Sequence, residues 1–197
     1  MSAQTFPLVV AALLAAPVAR AAPTVHLQAV GLATVRAEGA GPGVGGRLVF
    51  EGERFGLEGG VRESAVDMVD ELASGAGLAG SDGLAVGNIH LVARVPVGPL
   101  VLRAGLAHHH ETAAPLVGRD PLRTTAGTHP GIVHRSGFEA GVEGLLPLSR
   151  LVPGGRWAER SALTAGLAAD WMPGSTTTGA GAWTGQLELG LRTRLGA

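Results

Sequence analysis

From Val25 onward the chain alternates apolar and polar positions in eight stretches of roughly ten residues, joined by connections that run short, long, short, long. The last stretch shows the pattern. Trp183, Gly185, Leu187, Leu189, Leu191 and Leu195 fall on one face, with Thr193 its polar member, while Gln186, Glu188, Arg192 and Arg194 fall on the other. A period of two belongs to a strand with one apolar and one wet face. The stretches predict strands over Val25–Glu38, Val44–Glu51, Phe55–Glu63, Leu84–Val95, Leu100–Glu111, Arg135–Leu146, Ala162–Met172 and Ala182–Leu195. Within the first, Val30 and Leu32 break the alternation.

With the N-terminus on the periplasmic side, the connections sort by length. Gly52–Arg54, Pro96–Pro99 and a longer Pro147–Ser161 are inner turns, and Gly39–Gly43, Ser64–Gly83, Thr112–His134 and Pro173–Gly181 are outer loops. Short inner turns and longer outer loops are the habit of bacterial outer-membrane barrels. Alternation alone does not say which face points out, because a soluble lipocalin-like barrel alternates too. Two features favour the apolar face outside. It is built from Leu, Val, Ala and Gly, which would fill a dry interior poorly. The aromatics beyond the leader, Phe50, Phe55, Phe138, Trp157, Trp171 and Trp183, also fall near predicted strand ends, where amphipathic rings meet a membrane surface.

Composition fits. Charged residues are 16% of the chain, Gly numbers 32 and mean hydropathy is +0.29, apolar for a soluble domain and glycine-rich for a helical one. No apolar run is long enough for a membrane-spanning helix. There is no Cys, hence no disulfide framework. A net charge of −1 makes no case for nucleic acid. Pro7–Val18 is an apolar run too short to span a bilayer, followed by Ala19-Arg20-Ala21, a small-x-small cleavage signature. Residues 1–21 therefore read as a signal peptide, cut after Ala21 or Ala22, and 22–197 as the barrel.

The chain resembles the small eight-stranded outer-membrane barrels that include OmpA-, OmpX- and OmpW-like proteins, an architectural resemblance that spans nearly all of the mature chain. It implies an all-β, eight-stranded antiparallel up-and-down transmembrane β-barrel in the outer membrane of a Gram-negative bacterium.

Three groups of residues could carry chemistry. Arg36, Arg47, Arg62, Arg94, Arg103, Arg192 and Arg194 share the polar face with Glu38, Glu51, Glu58, Glu139, Glu143, Glu188 and Asp170. An eight-stranded barrel is filled by its own side chains, so these should pair as an internal ion network, with a narrow conduction path the alternative. His108 and His110 share one face and His109 the other, with His129 and His134 in or beside the next loop. Imidazoles two apart on a strand can share a metal, but no third ligand stands at a fixed spacing. Polar histidines at headgroup level are the plainer reading. His134-Arg135-Ser136 has the His-x-Ser form of the lipid A 3-O-deacylases, which are also eight-stranded barrels. The position matching that family's Glu is Leu148, and Glu139 and Glu143 face inward by parity.

The outer loops complete the survey. Ser64–Gly83 is acidic (Asp67, Asp70, Glu71, Asp82) and could form one short helix through Val66, Val69 and Leu72. Thr112–His134, with Pro115, Pro121 and Pro130, reads as irregular, and Gly174–Gly179 as uncharged and flexible. The expectation is a monomeric barrel with no catalytic residue, cofactor or metal assigned. Its partners are outer-membrane lipid and lipopolysaccharide, and a surface partner through loops 64–83 and 112–134. A small-solute channel is the alternative, followed by a lipid A acyl hydrolase and a lipocalin-like binding barrel.

Overall fold

A computed structural model describes residues 23–66, 68, 82–115, 120–173 and 182–196. The leader over 1–21, the second-loop helix expected around Val69 and Leu72, and the Gly174–Gly179 run lie outside the described residues. The described chain forms β1 (Thr24–Arg36), β2 (Gly39–Glu51), β3 (Gly56–Ala65), β4 (Asp82–Val97), β5 (Leu100–Pro115), a short α1 (Pro121–Thr125), β6 (Val133–Pro147), a 3-10 turn (Leu148–Arg150), a short α2 (Arg156–Arg160), β7 (Ser161–Met172) and β8 (Ala182–Leu195). Each strand pairs antiparallel with its sequence neighbours, and β8 returns to β1, so the sheet is a closed up-and-down barrel.

All eight predicted strands are present, and several run further than expected. Gly39–Gly43, read as an outer loop, is the start of β2, and the β1–β2 connection is residues 37–38. Gly39, at φ +146°, answers to the turn, but Gly41 and Gly43 answer to crowding. A Cβ on Gly41 would lie 1.5 Å from the Ala65 carbonyl oxygen, and one on Gly43 would lie 2.4 Å from the Glu63 carbonyl oxygen. Bare positions let neighbouring backbone approach closely. The loops expected over 64–83 and 112–134 are likewise narrower, because β3 reaches Ala65, β4 starts at Asp82, β5 reaches Pro115 and β6 starts at Val133.

At the short-turn end, the Gly52 N–H donates to the Phe55 carbonyl at 2.9 Å. Gly98, first of the two residues linking β4 to β5, takes φ +61°, which the tight hairpin turns require. The long 147–161 connection folds into the 3-10 turn and α2, which bury Leu148 and Ala158.

The polarity is inside out. Leu27, Leu91, Leu187 and Leu189 are each more than half exposed, while Arg47, Arg62, Arg94 and Arg103 are at most 2% exposed. In water that exchange would be unfavourable on both counts; against hydrocarbon it satisfies both. A lipocalin-like barrel needs the leucines inside, which is not the arrangement adopted. Val30 and Leu32, the exceptions in the first stretch, point inward with Val49, Val92 and Val101. Register aligns Phe138, Trp171 and Trp183 on three adjacent strands. Their rings form a chain with centroids 6.2 Å apart at each step, an aromatic band at the long-loop edge of the belt.

Candidate functional site

The inward positions of the alternating strands converge on a lattice of four arginines and four glutamates. Arg103 donates to Glu58 and Glu139, each at 2.7 Å, and to Glu188 at 2.8 Å. Arg62 bonds Glu188 at 2.9 Å, Gln186 at 2.5 Å and Glu139. Arg94 bonds Glu143 at 2.5 Å and Glu58. Arg47 bonds Glu188 and reaches Glu143 at 3.3 Å. Forked guanidiniums match carboxylates two at a time, so each Arg ties several strands together. Beyond this core, Asp170 Oδ2 accepts from Asn88 at 3.0 Å and Gln186 at 3.1 Å and lies 2.9 Å from His109 Nε2.

The remaining predicted charges cap the two ends. Arg36 pairs with Glu111 at 2.8 Å and with Glu38 at 3.3 Å toward the long loops, and Arg192 pairs with Glu51 toward the short turns. Arg194, expected inside, is exposed at the strand end and joins none of these pairs.

The second feature lies on the outward face, above the aromatic band. Strand register sets Glu63, Gly87, His110 and His134 side by side across β3 to β6, with Val61, Ile89, His108 and Ser136 in the row below. Segment 120–127 lies over this wall as a strap. Asp120 opens α1 by accepting from the Leu122 N–H at 3.1 Å, and Pro121 occupies its first turn. Thr124 is fully buried, Thr125 Oγ1 donates to Glu63 at 3.4 Å, and His110 Nδ1 donates to the Thr125 carbonyl at 2.8 Å. His110 is consequently buried, although its parity directs it outward.

Gly87 makes the strap possible, since a Cβ there would lie 2.7 Å from Thr125 Cα and 2.9 Å from the Thr124 carbonyl oxygen. Gly87→Leu is expected to lift the strap at an overpacking cost of about 1–3 kcal/mol. Hydrogen exchange reads this as a roughly tenfold or greater acceleration at the Ala126 and Gly127 amides, with the β1 and β8 amides unchanged. Those two amides now donate to Leu122 and Thr124.

Three of the five singled-out histidines come together. His108 and His110 rings lie 4.7 Å apart, His110 and His134 4.8 Å, and His108 and His134 5.6 Å. One ligand nitrogen from each can be chosen so that all lie within 4.8 Å, so this trio could hold a metal. His129 is not part of it; its Nδ1 donates to the Pro130 carbonyl at 2.9 Å. His109 points into the barrel.

Ser136 Oγ lies 2.7 Å from His108 Nδ1, so the His-x-Ser serine meets a histidine from the neighbouring strand. Glu139 and Glu143, the acids nearest in sequence, are bonded inside the lattice, and Leu148 is buried in the 3-10 turn. A carboxylate to orient the histidine, as a catalytic triad needs, is not supplied by any of these three positions.

Sequence reasoning placed His108, His110 and His134 as candidates but not their meeting, and it missed Gly87, Thr125 and Gly127 entirely. The available signal was Asp120-Pro121, an N-cap followed by a first-turn proline, which marks a helix inside a loop read as irregular.

No protein-family model and no curated protein matches the chain. Among solved structures, it is similar to a major outer membrane protein from Thermus thermophilus, with TM-score 0.52 and 15% identity over 87% of this chain and 99% of that one. It also matches Neisserial surface protein A (TM-score 0.45, 14% identity, 88% and 97% covered). A third match is the N-terminal β-barrel domain of Pseudomonas aeruginosa OprF (TM-score 0.42, 11% identity, 85% and 96% covered). By fold, then, the chain is a closed eight-stranded antiparallel up-and-down barrel, similar to that of the Thermus outer membrane protein.

Proposed function

We propose that this barrel sits in the outer membrane of a Gram-negative bacterium, carries no solute, and acts through its long-loop end in an adhesive, structural or surface-interaction role. The observation that carries this reading is the interior. Four arginines and four glutamates cross-link β2, β3, β4, β5, β6 and β8 with almost no accessible surface, so that the described residues plug the axis. A conducting pore needs polar groups free to bond passing water and ions; these are bonded chiefly to one another. Lipid and lipopolysaccharide surround the belt, and a surface partner would meet loops 64–83 and 112–134.

Reconstitution in planar bilayers tests it. The protein is expected to give no steady conductance above that of empty lipid. Stepwise, cation- or anion-selective current would replace this reading with a small-solute channel. The 2.7 Å contact between Ser136 and His108 favours a second reading, a membrane-surface acyl hydrolase. Vesicles containing lipid A decide that one: fatty acid released by the wild type and not by Ser136→Ala would establish it.

A further inference from the structure

We propose that His108, His110 and His134 form a three-imidazole site for a divalent transition metal of the zinc class on the barrel wall, beside the 120–127 strap. The site is built by strand pairing. Register sets His110 opposite His134 and His108 opposite Ser136, and shared parity turns all four side chains outward. The third ligand that the sequence did not supply by spacing comes from the next strand.

The hydrogen bonds then select which nitrogen of each ring faces the metal. His110 Nδ1 donates to the Thr125 carbonyl at 2.8 Å. His108 Nδ1 is held by Ser136 Oγ at 2.7 Å. Both rings thus have their Nδ1 occupied by an oxygen partner and keep Nε2 as the metal-binding lone pair, the outer-shell arrangement that metal-ligating histidines use. His108 Nε2 lies 3.4 Å from His134 Nδ1. Two Zn–N bonds of about 2.0–2.1 Å at a tetrahedral angle separate their nitrogens by about 3.4 Å. This pair is already spaced as metal ligands, and His134, the exposed member of the trio, can rotate to bring the set together around an ion.

Two further features fit an ion here. Gly127, with φ +72°, borders the His110 ring, and a Cβ on it would lie 2.8 Å from His110 Nε2. The Cε1 and Cδ2 atoms would be almost as near, at 2.9 and 3.1 Å, so glycine lets the strap pack on the face of the ring and hold it in place. Three imidazoles would also leave one position of a tetrahedral ion for water, as three-histidine zinc sites do. The ligands stand on β5 and β6, so an ion would act on the strap through His110, fixing the ring whose Nδ1 donates to the Thr125 carbonyl.

The test uses the untagged full-length mature chain, refolded in detergent micelles, titrated with Zn2+ by calorimetry and with Co2+ by visible absorption. One ion per chain is expected, with the intense d–d bands of four-coordinate Co2+. His134→Ala and His108→Ala should each weaken binding at least roughly 100-fold, and Ser136→Ala roughly 10-fold, as loss of an outer-shell partner does. His129→Ala should leave the affinity unchanged. Zn2+ should slow hydrogen exchange at Ala126 and Gly127 in the wild type and not in His134→Ala. Heat-dependent gel mobility in SDS reports that each variant is folded. No binding, or binding that survives His108→Ala and His134→Ala in folded protein, overturns the proposal. So does a loss caused equally by His129→Ala.

Discussion

Arg103→Met is expected to cost the folded barrel about 3–5 kcal/mol, the effect of removing one partner from a buried ion network. Arg103 is the guanidinium that touches Glu58, Glu139 and Glu188 together. Methionine fills much of the same volume, so the cost is electrostatic: four buried carboxylates would face three arginines with no water to take up the excess charge. The measurement is the temperature at which the compact SDS-resistant band gives way to the unfolded one, together with urea unfolding in micelles. Arg103→Met combined with Glu139→Gln restores the balance of charge and should recover more than half of the loss. A single variant as heat-stable as the wild type would mean that the interior is hydrated and that its carboxylates find water instead.

Leu189→Arg carries the second large effect. Leu189 stands outward in mid-strand, 62% exposed, between Gly31 on β1 and Ala165 on β7. Neither neighbour offers a partner, and the middle of the belt offers no water. An arginine there should cost about 2–4 kcal/mol in a bilayer, and Val97→Arg at the short-turn rim no more than about 1 kcal/mol. Val97 is also exposed, so exposure alone does not separate the two; depth in the membrane does. Refolding yield into lipid vesicles and urea unfolding measure both. If the two variants behave alike, the leucine face is not meeting hydrocarbon.

Strand number and the sorting of charges onto one face were legible because each follows from a local rule, whereas which face points out was read from the Ala- and Gly-rich apolar face and from aromatics near strand ends. Leu187, Leu189 and Leu191 on one side and Glu188 and Arg192 on the other need nothing but the period of a strand. What failed was also physical. Gly39–Gly43 has the composition of a turn, yet Gly41 and Gly43 serve the close approach of β3, a contact that local sequence does not encode. The histidine trio depends on how β5 registers against β6 across a long connection, and a one-residue slip would turn His134 to the other face. The strap was readable in part from Asp120-Pro121, but its landing place was not, because Gly87 looks like any other strand glycine until α1 is seen lying on it.

Glu188 sets the order in which this molecule can be completed. It lies on β8 and accepts from Arg47 on β2, Arg62 on β3 and Arg103 on β5. Until β8 arrives, three strands that are already paired hold cations short of a counter-charge, while β1 and β7 each present an open hydrogen-bonding edge to hydrocarbon. A single strand resolves both deficits at once. Closure by β8 thus satisfies sheet and ions together, and a barrel lacking that one strand is penalised twice, in its backbone and in its ions.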